Sequence, residues 1–179
     1  LSKKIKSVAM DNQFIAPHEK NSLINQNRPS KSHSSNVERY DSAVTESLKR
    51  INDLIKKINL PIKMEFIALS SYGEGTSSSG NVKLEMDLSG SIAGKNIIIV
   101  EDIVDTGLTM KTLTAMLSNR NPKTIKLASL LFKPTRNEHP AKIDYLGFEI
   151  EDKFVIGYGL DYAGRYRELP YIGVLNARN

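Results

Sequence analysis

An α/β fold built on a parallel sheet is predicted by three consecutive stretches. Ile97, Ile98, Ile99 and Val100 form an unbroken β-branched run, the kind buried on both faces of a parallel sheet. Met110, Leu113 and Leu117 then recur at helical spacing from Thr109 to Ser118. A second apolar run extends from Ile125 to Phe132. Strand, helix and strand in that order make a βαβ unit, whose two strands lie parallel in one sheet.

The other elements follow from the amino end onward. Residues 1–40 show neither helical nor strand periodicity, and the stretch from Asn21 to Asn36 is rich in Ser and Asn. A polar, basic arm without fixed structure is expected there. Order is expected from Asp41, a suitable N-cap. Val44, Leu48, Ile51, Ile55 and Ile58 recur every three or four residues, so a helix should run toward Pro61 and stop before it. From Ile62 the pattern turns to strands. Phe66 to Leu69 is a short apolar run, a Gly- and Ser-rich stretch follows, and then Val82, Leu84, Met86 and Leu88 alternate with polar residues. Two strands around such a stretch predict a long hairpin with a flexible tip. Toward the carboxyl end, Ile143, Tyr145, Gly147 and Phe148 lead into Phe154 to Gly157, and Tyr171 to Leu175 closes the chain. Two units are expected: the arm, residues 1–40, and one domain, residues 41–179.

Composition narrows the class. A chain of 179 residues carries one domain with a real core and is too short for two comfortable ones. No apolar run approaches the roughly 18 residues of a membrane helix, and the basic start has no apolar stretch behind it, so neither a membrane nor a secretory signal is expected. Cysteine is absent, which excludes disulfides and Cys-ligated zinc and fits a cytoplasmic protein. The net charge of +5 belongs to residues 1–60, which hold 11 Lys/Arg against 6 Asp/Glu; the remainder is balanced at 14 of each. No aromatic residues interleave with the basic ones of the arm, so nucleic acid is not the expected partner.

The segment from Asn96 to Thr109 carries the chemistry. A buried strand leads to two carboxylates, Glu101 and Asp102, with a third, Asp105, three residues on; Thr106, Gly107, Leu108 and Thr109 then turn directly into a helix. The carboxyl end of a parallel strand is where an α/β sheet places its ligand. The turn offers backbone N–H groups, Gly107 allows close approach, the hydroxyls of Thr106 and Thr109 add donors, and the helix start favours an anion. Paired carboxylates beside a phosphate cradle suit a hydrated Mg2+ and the hydroxyls of a ribose. A lone Asp-Thr pair would be read as helix capping, but capping does not require all of these parts together.

This string resembles the phosphoribosyl pyrophosphate motif of the type I phosphoribosyltransferases, and the resemblance covers about two-thirds of the chain, from Leu60 to Leu175. Phe66 to Ser71 with Tyr72 and Gly73 looks like that family's entry into its mobile catalytic loop. Leu131-Phe132-Lys133-Pro134 resembles a strand end that offers a lysine to a purine. Asp152 to Tyr162 is similar to the purine-binding segment of the hypoxanthine-guanine branch, and Arg165 to Gly173 to its tail. The resemblance implies a central parallel sheet flanked by helices, with a flexible hairpin loop and a small purine-binding hood. It implies an enzyme of purine salvage that moves a phosphoribosyl group from phosphoribosyl pyrophosphate to hypoxanthine or guanine, and an association into dimers or tetramers.

Carried over residue by residue, Glu101 and Asp102 would hold the ribose hydroxyls, directly or through Mg2+, and Asp105 would accept the proton of N7. Thr106, Gly107, Leu108 and Thr109 would bind the 5′-phosphate. Lys133 would hydrogen-bond the 6-oxo group, Phe154 would stack on the ring, and the Val155 backbone would read its edge. Asp161 would help to hold a second Mg2+, Arg167 would meet pyrophosphate, and Ser71 and Tyr72 would close over the reacting centre. A lysine suits an oxo group and not an amino group, which favours 6-oxopurines.

The resemblance departs from the family in one place. An earlier buried strand ending in a Leu-Lys-Gly type loop, which binds pyrophosphate, has no counterpart in the stretch from Ser34 to Asp41. An altered or truncated amino-terminal segment is one expectation from this break and from the start at Leu1. A sheet without that strand would expose a hydrophobic edge. The rival expectations are a catalytically inactive, nucleotide-binding member and an RNA-binding regulator on the same fold. A nucleotide hydrolase is disfavoured, since the chain has neither a Gly-Lys-Ser/Thr phosphate loop nor a nucleophile elbow.

Overall fold

The computed structural model describes residues 3–11 (as backbone), 51–71 and 82–176. In chain order these hold β1 (Lys3–Asp11), the helical residues 51–55 (α1), β2 (Ile62–Ser71), β3 (Val82–Met86), β4 (Asn96–Val104), α2 (Leu108–Ser118), β5 (Thr124–Phe132), β6 (Tyr145–Glu149), β7 (Val155–Ile156) and β8 (Gly173–Val174). Six strands form one sheet in the order β3-β2-β1-β4-β5-β6, and β7 pairs with β8 in a separate two-stranded ladder.

The predicted βαβ unit is present. β4 and β5 are parallel, with Ile99 opposite Leu127 and Glu101 opposite Ser129, and β6 continues the parallel set. Burial alternates along β4, so Ile97 and Ile99 face α2 while Ile98 and Val100 face the other way. The helix sets Met110, Leu113 and Leu117 onto that face, against Ile67 and Leu69 of β2, Ile92, and Leu127 of β5. Burying each such side chain is worth about 1.5–3 kcal/mol, which makes this layer the platform for whatever sits at the end of β4. β2 and β3 form the expected antiparallel hairpin, with Ser71 opposite Val82. Its Gly/Ser tip, Tyr72 included, lies outside the described residues, as do the expected helix start at Asp41 and the Ser34 to Asp41 stretch.

The amino-terminal arm differs from expectation. Within residues 1–40, Lys3–Asp11 is a strand, and it occupies the place between β2 and β4, with Ser7 opposite both Phe66 and Val100. The exposed hydrophobic edge expected from a missing early strand is therefore not formed there. The reason lies in the neighbours. β2 and β4 would otherwise each present an unpaired row of N–H and C=O groups, and an extended segment satisfies both rows at once. Tertiary pairing overrides the weak strand preference of a segment rich in Lys and Ser. β1 runs antiparallel to both neighbours, and Lys3 pairs with Ser70, so its amino end lies beside the carboxyl end of β2.

The amino ends of the parallel strands are held by ion pairs. Asp144 accepts from Lys126 Nζ at 2.8 Å and from the Leu127 N–H at 3.0 Å, and these bonds hold its carboxyl below its ordinary range. Arg120 forks onto Asp87 at 2.7 and 3.0 Å, lowering that carboxyl as well. Glu65 is buried, which by itself would raise it. The Lys63 ammonium and two bonds from Ser89 outweigh the burial and leave it lowered.

Candidate active site

The sequence places the paired carboxylates at the end of a strand; the structure places them inside it. β5 runs alongside β4 as far as Val104 opposite Phe132, so pairing carries the strand past Glu101 and Asp102. Alternation then separates the two. Glu101 falls on the α2 side and is 3% exposed, while Asp102 is half-buried on the opposite side. Asp102 Oδ1 accepts the Ile103 N–H at 2.8 Å. The Val104 carbonyl accepts the Lys133 N–H at 3.0 Å, which ties the ends of β4 and β5 together.

Asp105, Thr106 and Gly107 make the turn into α2. Gly107 has φ +83°, a left-handed conformation, and a side chain there would also collide: a Cβ would sit 2.1 Å from the His139 carbonyl oxygen and 2.5 Å from Asn137 Oδ1. The His139 N–H donates to the Thr106 carbonyl at 2.9 Å, so the segment after β5 braces the turn from behind. No side chain caps α2 and its first turn carries no acidic residue. The first-turn N–H groups are thus left to an external acceptor. Glu101, Asp105, Thr106, Gly107 and Thr109 line a small recess at this point, and Leu108 opens the helix above it. A wider pocket of about 350 Å³ opens on the other side of β4, where Asp102 and Glu101 border it together with Ile51, Leu54, Tyr145 and Tyr158. It is the roomier of the two, and Glu101 borders both.

The purine-reading residues expected from sequence lie close by in the fold. Lys133 directly follows β5 and is 7% exposed, and its ammonium donates to Asp152 Oδ1 at 3.1 Å. Phe154 is 52% exposed and stands edge-on to Tyr162, with ring centroids 5.6 Å apart. Val155 pairs with Val174 in the β7–β8 ladder. The loop that follows is dense in left-handed residues: Tyr158, Ala163 and Tyr166 as well as Gly157, Gly159 and Gly164. Such a backbone persists only where its surroundings hold it. Arg167 does part of this work, donating to the Gly159 carbonyl at 2.8 Å and pairing with Asp161 at 2.7 Å, while Asp161 also accepts the Gly164 N–H at 2.8 Å. Asp161 and Arg167, assigned from sequence to a second Mg2+ and to pyrophosphate, are therefore joined to each other in this state. Ser71 ends β2, described as backbone only. Among the described residues no three Asp, Glu, His or Cys side chains gather into a metal cluster.

Sequence reading passed over three participants. Asp152 stands inside the purine-binding segment without an assigned role. Arg136 and His139 follow Lys133 with no periodicity or motif to mark them. A short 3-10 turn, Pro134–Arg136, folds Arg136 back so that its Nε donates to Asp105 Oδ1 at 3.2 Å. Pro134 directly after the lysine is the one sequence sign of that turn.

The chain matches the family model described as phosphoribosyl transferase domain over residues 44–163. It is 52% identical over 123 residues to the hypoxanthine-guanine phosphoribosyltransferase of Bacillus subtilis, an alignment covering 69% of this chain and 68% of that protein. It is 47% identical over 125 residues to the bifunctional protein TilS/HprT of Listeria innocua, covering 70% of this chain and 19% of that longer protein. Among solved structures, a mutant hypoxanthine phosphoribosyltransferase of Trypanosoma cruzi complexed with the product IMP superposes with a TM-score of 0.68 at 44% identity, covering 74% of this chain and 69% of that one.

Proposed function

The chain belongs to the phosphoribosyl transferase domain family, and from that premise we propose that it catalyses purine salvage, moving a phosphoribosyl group from phosphoribosyl pyrophosphate to hypoxanthine or guanine. The products are IMP or GMP and pyrophosphate. The observation that carries this reading is the braced turn from Asp105 to Thr109. Its glycine can bear no side chain, and it lies at the carboxyl end of a parallel strand that carries Glu101 and Asp102. The similar proteins include a hypoxanthine-guanine phosphoribosyltransferase and a hypoxanthine phosphoribosyltransferase in complex with IMP.

In this reading the 5′-phosphate sits on the Thr106 to Thr109 turn and the first-turn amides of α2. Glu101, which borders both the recess and the wider pocket, and Asp102, which borders the wider pocket, would hold the ribose hydroxyls. The bond from C1′ to the pyrophosphate oxygen breaks as N9 of the base bonds to C1′, and the N7 proton passes to the Asp105 carboxylate. Positive character grows on the sugar as that bond opens, so carboxylates fixed in advance near C1′ lower the barrier. Lys133 donates to the 6-oxo group, and Phe154, exposed and edge-on to Tyr162, is available to stack on the ring. Ser71 and Tyr72, whose side chains lie outside the described residues, are assigned to the closing of the site from sequence alone. Glu101 and Asp102 both line the wider pocket, and there they would hold a Mg2+ together with substrate oxygens and water, the oxygen ligands that ion prefers. Held there, the ion would supply positive charge against the pyrophosphate; Asp161 would help to hold a second ion in exchange for its Arg167 partner, and Arg167 would then meet pyrophosphate.

The exposed side chains of Tyr145, Leu146 and Phe148 on edge strand β6 support association with a second copy of the chain, to be read by its mass in solution. A second functional reading, a nucleotide-binding relative without turnover, is favoured by one observation. The strand between β2 and β4 runs antiparallel to both, so its carboxyl end, with Met10 beside Ile97 and Asp11 beside Ile62, lies at the end of the sheet away from Glu101. Spectrophotometric turnover of hypoxanthine and guanine with phosphoribosyl pyrophosphate and Mg2+ separates the two. Turnover selects the enzyme, and a folded protein that binds IMP without turnover selects the relative.

A further inference from the structure

Four charged side chains form one alternating string across the mouth of the site. Lys133 Nζ lies 3.1 Å from Asp152 Oδ1. The second oxygen of the same carboxylate, Oδ2, lies 3.7 Å from a terminal nitrogen of Arg136, and Arg136 Nε lies 3.2 Å from Asp105 Oδ1. Asp152 thus uses its two oxygens on two different cations, and Arg136 uses two of its nitrogens on two different carboxylates. The string begins at the lysine that faces the 6-oxo group and ends at the carboxylate that accepts the N7 proton. On a 6-oxopurine those two positions are neighbours along one edge of the ring.

We propose that Arg136 and Asp152 are positioning residues that set the spacing of Lys133 and Asp105 to this O6–N7 edge, and so select 6-oxopurines that carry a proton at N7. The inference rests on the reading of the site as a purine phosphoribosyltransferase. The chemistry of each link supports it. Arg136 engages Oδ1 of Asp105 through a planar, fixed donor, which orients the carboxylate and leaves Oδ2 to the base. Asp152 holds an ammonium that is otherwise buried, and sets the direction from which it meets an oxo group. When Lys133 turns to the 6-oxo group its bond to Asp152 loosens. Asp152 keeps its second oxygen toward Arg136, so Asp105 stays oriented toward N7 as the lysine meets the oxo group, and recognition and proton acceptance are coupled through two side chains. An amino group at position 6 offers Lys133 no acceptor.

Arg136 and Asp152 are each 46% exposed as side chains, so they carry little of the stability, and their substitution tests positioning without unfolding the chain. The experiment is steady-state turnover of hypoxanthine by the full chain, as it stands and as Arg136→Gln, Arg136→Lys, Asp152→Asn and the double variant Arg136→Gln/Asp152→Asn. Arg136→Gln should lower kcat about tenfold and leave the KM for hypoxanthine within about twofold, since it loosens the proton acceptor and not the contact to the base. Arg136→Lys, which keeps the charge, should recover part of that loss. Asp152→Asn should raise the KM for hypoxanthine about tenfold and leave the KM for phosphoribosyl pyrophosphate unchanged. The double variant should lose less than the product of the two single losses, as members of one string do. Single variants within twofold of the parent would overturn the inference, and so would equal losses in all parameters accompanied by a lower melting temperature. If the parent chain itself turns over neither hypoxanthine nor guanine, the reading beneath the inference fails first, and the two failures are told apart by that control.

Discussion

The two halves of the sheet reach the same hydrogen-bonded pattern by different routes. On one side β4, β5 and β6 are parallel and α2 joins the first two, with elements that announce themselves locally: β-branched runs, a helical stripe of Met110, Leu113 and Leu117, and a Gly at a turn where no side chain fits. On the other side β2 and β3 form a hairpin, and β1 is a Lys- and Ser-bearing strand held between β2 and β4 in antiparallel register. The first half owes its form to its own sequence and carries the chemistry. The second is closed by a segment whose structure is granted by its neighbours.

The largest expected effect belongs to the parallel half. Asp105→Ala should reduce turnover by about 10²–10⁴-fold, the usual range for removing a general base, with the melting temperature unchanged, because the Asp105 carboxylate is partly exposed and pairs with the still more open Arg136 side chain. In the antiparallel half the ranking of effects should reverse. Val8→Pro removes a donor from a strand paired on both sides, with Glu65 and Ile99 as its partners. It should cost ~3 kcal/mol or more, read as a lower denaturant midpoint. An unchanged midpoint would mean that β1 is not a working part of the sheet, and the comparison would break. Gly107→Ala joins the two halves of the test, since φ +83° and the 2.1 Å approach to the His139 carbonyl bear on fold and site together. A loss of about 1–3 kcal/mol of stability, along with weaker IMP binding, is expected.

The smallest effect concerns the far end of the sheet. Asp144 titrates below its ordinary 3.8 because Lys126 and the Leu127 N–H stabilise its charged form. A carboxyl lowered on folding contributes stability above its unfolded value, and that contribution is lost as pH falls through the folded one. Asp144→Asn should therefore lower the melting temperature slightly at pH 7, and the gap to the parent should close on acidification below about pH 3–4. A gap that stays constant down to that range would remove the ion pair from the account.

How much could be read in advance divides along the same line. The βαβ unit, the buried positions of α2 and the hairpin were legible because their periodicities are local. The strand-to-helix turn from Asp105 to Thr109 was legible because a β-branched run, a Gly and a helical stripe follow one another directly there. The continuation of β4 through Glu101 and Asp102 was not, since it depends on β5 running beside it to Phe132. Nor was β1, whose residues show no period and whose place depends on two strands brought together from elsewhere. Arg136 and Asp152 escaped for a third reason. Ion pairs between a 3-10 turn and a distant loop leave no spacing in a sequence; only the fold sets their atoms 3.7 Å apart.

The most direct test of the central claim is calorimetric titration of the full chain with IMP, GMP and AMP in the presence of Mg2+. The account predicts that IMP and GMP bind, that AMP binds at least about tenfold more weakly because Lys133 finds no oxo group, and that Gly107→Ala weakens all three. Equal binding of the three nucleotides, or none by a folded chain, would contradict a 6-oxopurine nucleotide site at the end of β4.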